Sequence, residues 1–203
     1  MKIKILILAF LLIVSLSACT LFQKKEEKIK TPAEISQWAI RASASDSYGG
    51  SLGEKRDDQS PYAATGQPDV ETCGDNQKAW TISKEDDGEH WLELYYDIDV
   101  YASKVRIKET FGPGAIKKVE VLNEDIYVTL WEGTDKAKPC PKELEVKYEQ
   151  KEGNITKTMT PFMTNTVKIT LDTDVKDWNE IDAVQLIGYE QKWYMYNQTL
   201  FIE

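Results

Sequence analysis

The constraint that weighs most on this chain is a period-two rhythm that returns again and again after Trp38. HWLELYY sets His90, Leu92, Leu94 and Tyr96 against Trp91, Glu93 and Tyr95, and SKVRIKETF sets Val105, Ile107 and Phe111 against Lys104, Arg106 and Lys108. KVEVL, IYVTLW, ELEVKY, TVKITLD and EIDAVQLIG continue it. Alternate side chains of a strand point to opposite faces, so such runs read as half-buried strands. The breakers DDG, FGPG, NED, KPCP, KEGN and DTDVKD separate them, each rich in residues that favour turns. About eight or nine short strands divided in this way predict an all-β, antiparallel sandwich or barrel, with little helix.

The first residues belong to another class of signal. Lys2 and Lys4 precede an apolar run from Ile5 to Val14, and Leu16-Ser17-Ala18-Cys19 follows. A basic start, a short apolar stretch and small residues form a secretory signal, and the last four match the bacterial lipobox. That expectation makes residues 1–18 a lipoprotein signal peptide and Cys19 the site of lipidation. An ordinary signal peptide or an uncleaved anchor helix is the alternative. The apolar run falls short of the roughly 20 residues that a bilayer span requires. A lipid on Cys19 would anchor the chain to a bacterial membrane without spanning it, the outer membrane in a Gram-negative cell, and leave the rest extracytoplasmic. Residues 19–35, charged and interrupted by Pro32, read as a flexible tether.

The formal charge is −9, and loss of Lys2 and Lys4 with the signal lowers it to −11. Such a surface repels phosphate backbones, which argues against nucleic acid as a partner. Outside the reducing cytoplasm, Cys73 and Cys140 form an even pair once Cys19 is lipidated, so a disulfide is expected, with two free buried thiols as the alternative. Neither cysteine sits in a CxxC or beside a histidine, so zinc is disfavoured.

The interval Ser47–Gln77 breaks the strand rhythm. A loop of that length in a compact domain carries function or short structure of its own. After Gly188 the tail supplies Trp193, Tyr194, Tyr196 and Phe201. Residues 191–203 are expected to pack on the sandwich or to extend it, an exposed patch that binds a partner being the other reading.

Candidate chemistry is thin. The one histidine, His90, shares a side with Leu92 and Leu94, and none of the common hydrolase or nucleotide-binding fingerprints is present. No catalytic residue is assigned, although a carboxylate pair drawn from Glu109, Glu180 and Asp182 would suffice for a glycan hydrolase. In WNEIDAVQLIG the alternation places Glu180 and Asp182 on the side of Val184 and Leu186, where an unpaired carboxylate would be costly. Those two acids, with Asp46, are the candidate ligands of a structural calcium; the alternative is that they cap the strand, accept backbone hydrogen bonds or meet a basic side chain. For a sugar, an aromatic face and planar polar groups are needed, and Tyr48, Phe111, Trp178 and Asn179 are the candidates. A loop side chain folded back onto the core is the alternative for each aromatic.

Several pieces together, ASASDSYGGS, YAATGQPDVETCGDNQKAW, EHWLELYYDIDVYASKVRIKETFGPGAIKKVEVL, YVTLWEG and VKDWNEIDAVQLIG, resemble galactose-binding-like domains, the discoidin or coagulation-factor type C modules. The resemblance implies a jelly-roll β-sandwich over residues 36–190 whose loops bind carbohydrate or other cell-surface ligands, sometimes with a structural calcium for which Glu180 is the matching acid. The expectation is a lipid-anchored, non-catalytic binding module of the cell envelope. Its partners would be the membrane through the lipid, and a glycan or an envelope protein. A structural lipoprotein with a protein partner and a glycan-active hydrolase are the alternatives.

Overall fold

Twelve short or long ribbons account for nearly all regular structure in the computed structural model, which describes residues 32–50, 56, 58–136, 139–196 and 199–202. The signal peptide, Cys19 and the tether up to residue 31 lie outside the described residues. In chain order the strands are β1 (Ile35–Trp38), β2 (Arg41–Ala44), β3 (Glu89–Phe111), β4 (Ile116–Asn123), β5 (Ile126–Glu132), β6 (Lys142–Lys147), β7 (Gln150–Glu152), β8 (Ile155–Lys157), β9 (Met163–Asp172), β10 (Glu180–Tyr189), β11 (Trp193–Tyr196) and β12 (Thr199–Ile202). Every pairing among them is antiparallel, and the all-β expectation holds.

The 23-residue β3 organises the fold. Its first part, Glu89–Tyr95, lies between β2 and β9, and β9 continues through β4 to β5. Its second part lies between β10 and β6, and β10 continues to β1. One strand therefore serves both layers of a sandwich. The sequence reads as two separate runs here because the buried parity changes along it. Leu92, Leu94, Tyr96, Val100 and Ala102 are buried on even numbers, then Val105 and Ile107 on odd ones. The pairing with β9 slips between Tyr95 and Val100, and the pairing with β10 steps from Lys104 to Ala102, leaving Ser103 out. An unpaired extra residue bends a strand and resets which face its side chains take. Ser103 is held in place by its hydroxyl, which donates to the Ile187 carbonyl at 3.1 Å.

The core is one cluster drawn from both layers: Leu92, Leu94, Val119, Val121, Val167 and Ile169 from one side, Val105, Ile107, Val146, Ile181, Val184 and Leu186 from the other. Each fully buried aliphatic side chain of this kind stabilises the fold by roughly 1.5–3 kcal/mol. Trp80, wholly buried, seals the end at which β10 begins. Its indole N–H donates to the Asp46 carbonyl at 3.2 Å, and its backbone exchanges both hydrogen bonds with Ile181 at 2.8 and 3.0 Å.

The tail forms no part of the main sheet. β11 pairs with β12 and with β8, which pairs with β7, and Trp193 meets Tyr189 edge-on with ring centroids 5.3 Å apart. Cys73 and Cys140 are joined in a disulfide. It ties the long loop to the entry of β6, and the neighbouring Gly74 N–H donates to the Thr110 carbonyl on β3 at 3.1 Å.

Candidate functional site

The site begins with an irregularity at the start of β10. Glu180 pairs with Phe111, Ile181 with Glu109 and Ala183 with Lys108, so Asp182 is the extra residue of a bulge. Simple alternation puts Ile181 on the face opposite Val184 and Leu186. The bulge corrects that expectation: Ile181 joins Val184 and Leu186 in the core, and every residue from Glu180 to Val184 is buried.

Glu180 and Asp182 thus flank a core residue with side chains at 1% and 0% exposure, and both turn to the Ser47–Gln77 loop. The Asn76 N–H donates to the two Glu180 oxygens at 3.2 Å each, and Gln59 Nε2 adds a longer contact at 3.4 Å. Asp182 accepts from the Asp69 N–H at 3.1 and 3.3 Å and from the Val70 N–H at 3.2 Å. The Arg56 guanidinium stands 3.6 Å from it. Two buried carboxylates that would be costly alone are therefore the acceptors that satisfy three backbone donors of one loop. Short structure is present in the loop as well, a 3-10 turn over Pro61–Ala64 with Pro61, Ala63 and Ala64 buried.

Burial pushes the Glu180 carboxyl up to about 8, with neighbouring Asp75 adding to the rise and the Asn76 N–H opposing it. Asp182 is pushed up to about 6, again by burial first, against the pull of the Val70 and Asp69 amides. Gln59 Nε2 reaches both acids, donating to Asp75 at 2.9 Å and to Glu180 at 3.4 Å. Two carboxyls gathered on one amide disfavour each other's charge.

As calcium ligands the three candidates do not form one cage. Asp182 is met by N–H groups and a guanidinium, whereas calcium takes an oxygen cage. Asp46 accepts from the Ser83 N–H at 2.8 Å and the Ser83 hydroxyl at 2.6 Å. Among the described residues it gathers with Asp87 and His90, whose ligand atoms and its own lie within 4.8 Å of one another and could hold a metal. Glu180 is likewise met by donors, the Asn76 N–H on both oxygens and Gln59 Nε2 on one, so Asp46 is the member of the expected set that stands among other possible ligands.

The loop carries Tyr48 to Trp178. Tyr48 is 61% exposed, its N–H anchored on the Thr81 carbonyl at 3.0 Å, and its ring meets Trp178 edge-on with centroids 5.8 Å apart at 87°. The two rings, with Gln59, Asp75 and Gln77, line a cavity of about 280 Å³. Sequence reading named both aromatics but missed Gln59, Asp75 and Gln77, which arrive through long-range folding of the loop. The turn chemistry of DDQS and GDNQ was the available signal.

Phe111 and Asn179 do not line that cavity. Phe111 is half-buried at the end of β3. Asn179 is buried, and its Nδ2 donates to the Gly112 carbonyl at 2.6 Å. Gly112 itself has φ +49°, and a Cβ there would lie 2.5 Å from the Trp178 carbonyl. Asn179 and Gly112 together therefore set where Trp178 stands. Glu109, the other acid considered for a hydrolase, is buried beside Lys142 at 3.4 Å, with the Gly114 N–H donating to its Oε1 at 3.0 Å.

Comparison with solved structures finds carbohydrate-binding modules among its matches. The family 32 module from C. perfringens NanJ, solved in complex with galactose, is 14% identical with a TM-score of 0.49, over 75% of this chain and 99% of that one. A mutant of chitosan-binding module 1 from a Paenibacillus sp. IK-5 chitosanase/glucanase is 11% identical with a TM-score of 0.47, over 73% and 93%. Truncated AlyQ, with family 32 carbohydrate-binding and alginate lyase domains, is 12% identical with a TM-score of 0.49 over 79% of this chain, which spans only 35% of that longer one. No curated protein matches the sequence. A family model does match, over residues 27–197, a span that contains the sandwich, the loop and the cleft. It describes the C-terminal SD scarf domain of pappalysin-1, and the chain belongs to that family.

Proposed function

We propose that this protein is a non-catalytic binding module that holds a sugar ring in the cleft between Tyr48 and Trp178, displayed outside the cell on a lipid attached to Cys19. The observation that carries the reading is the pair of rings itself. An exposed tyrosine set edge-on to a tryptophan offers an aromatic wall for the apolar face of a sugar. Around it Gln59, Asp75 and Gln77 supply the planar amide and carboxyl groups that hydroxyls require. A cavity of about 280 Å³ suits one ring better than a long chain.

Glu180 and Asp182 act beneath this cleft by holding the loop that brings Tyr48, Gln59 and Asp75 into it. Calcium enters the reading as a structural ion on loop carboxylates, with Asp46 and Asp87 the acids that gather.

The test is a glycan array with the purified full-length chain, run with calcium and with chelator, beside Tyr48→Ala and Trp178→Ala. Binding to a defined sugar that both substitutions abolish supports the proposal. Binding that survives both, or none to any glycan in either condition, overturns it. A signal lost only with chelator assigns the ion to the site.

A further inference from the structure

A second cavity, of about 620 Å³, opens where β4 begins and β5 and β9 end. Its walls differ in kind from the cleft. No aromatic residue lines it among the described residues; Gly114, Ala115 and Val175 give it an aliphatic side, and Glu132, Asp135 and Asp172 give it an acidic one. Among the described residues Lys117 is the only cation that lines it, and its ammonium is committed to Asp172 at 2.5 Å.

Asp135 is the unusual member. Its side chain is 1% exposed, one oxygen meets the Lys142 ammonium, and Lys142 reaches Glu109 on its far side at 3.4 Å. The other Asp135 oxygen is buried without a hydrogen-bond partner. One ammonium is thus shared by two buried carboxylates, and a buried acceptor left without a donor costs roughly 1–3 kcal/mol. Glu132 stands exposed at the rim and makes no ion pair among the described residues. Burial also raises the Glu109 carboxyl, against the opposing pull of the Gly114 N–H and Lys142.

We infer that this cavity receives a basic side chain, lysine or arginine, from a partner protein. An ammonium or guanidinium donates to Asp135 and pairs with Glu132, and its aliphatic stem lies along Ala115 and Val175, as such stems do on apolar surface. A divalent metal fits poorly, because the carboxylates here are not among the described groups that converge as metal ligands. An aromatic platform for a sugar ring is lacking. The formal charge of −9 favours encounter with basic partners over the whole surface.

The experiment is an amide-resolved NMR titration of the full-length chain with three short blocked peptides that differ only at a central lysine, arginine or norleucine. The inference expects the lysine or arginine peptide to move Gly114, Lys117, Gly133 and Asp135 in a saturable way. The norleucine peptide should leave them unmoved. Glu132→Gln, at an exposed position that leaves the buried cluster intact, should weaken binding about fivefold, the scale of one exposed ion pair. Equal shifts with norleucine, unsaturable shifts spread over the acidic surface, or unchanged affinity in Glu132→Gln would each overturn the inference. So would glucosamine matching the lysine peptide at these amides, since the recognised group would then be an amine and not a protein side chain. None of these outcomes depends on the Tyr48–Trp178 cleft.

Discussion

Replacing Glu180 with glutamine separates the acceptor role of this side chain from its charge. The folded chain holds the Glu180 proton up to about pH 8, while an exposed carboxyl of this kind releases it near 4.5. Between those values the folded state binds a proton that the unfolded state has lost, so stability falls as pH rises. Each pH unit is worth about 1.4 kcal/mol. Across the window from 4.5 to about 8 the loss amounts to about 3–5 kcal/mol. The contribution is fully present below 4.5 and gone above about 8. Glutamine keeps an oxygen for the Asn76 N–H and offers Asp75 an N–H donor, with nothing to titrate. Glu180→Gln should therefore match the parent within about 1 kcal/mol near pH 5 and exceed it by about 3–5 kcal/mol near pH 9. Urea unfolding across that range, followed by tryptophan fluorescence, measures both. Parallel curves for the two proteins from pH 6 to 9, or a glutamine variant weaker at the alkaline end, would refute the reasoning.

Other outcomes follow from the same geometry. Asp182→Ala leaves the Asp69 and Val70 N–H groups without their buried acceptor, and should cost about 2–4 kcal/mol in equilibrium unfolding. Reducing Cys73–Cys140 releases a constraint across a sequence separation of 67. Denaturation with and without reductant should differ by about 4 kcal/mol. Gly112→Ala forces a Cβ to 2.5 Å from the Trp178 carbonyl at φ +49°. A loss of about 1–3 kcal/mol is expected, together with weakened sugar binding as Trp178 shifts. Tyr48→Ala touches an exposed ring and should change stability by less than about 0.5 kcal/mol while removing the sugar signal.

How much of this was legible before the structure depends on whether the signal was local. Leu92 and Leu94 alternate with charged or aromatic neighbours, and their burial followed from spacing alone. Compartment and pairing logic joined Cys73 to Cys140. Tyr48 and Trp178 stood out as aromatics in turns. What stayed hidden was set by partners far along the chain. Neither the skipped Ser103 nor the bulge at Asp182 has a composition of its own, because each exists only against the register of a neighbouring strand. The same limit made β3 read as two strands and sent Ile181 to the wrong face. Asn179 read as a sugar ligand from its turn. It is turned inward because Gly112, 67 residues earlier, presents a carbonyl to it. Gln59 and Asp75 reach the cleft only because Glu180 and Asp182 gather the loop, which no window of sequence contains.

The claim on which the cleft depends is that two buried carboxyls pin one loop through its backbone, and amide hydrogen exchange reads that directly. The Asp69, Val70 and Asn76 amides should exchange slowly in the parent, close to the rate of their neighbours in β10. In Glu180→Ala the Asn76 amide should become fast, and in Asp182→Ala the Asp69 and Val70 amides, while β3 and β9 stay protected. Fast exchange of all three in the parent, or protection that survives both substitutions, would contradict the account.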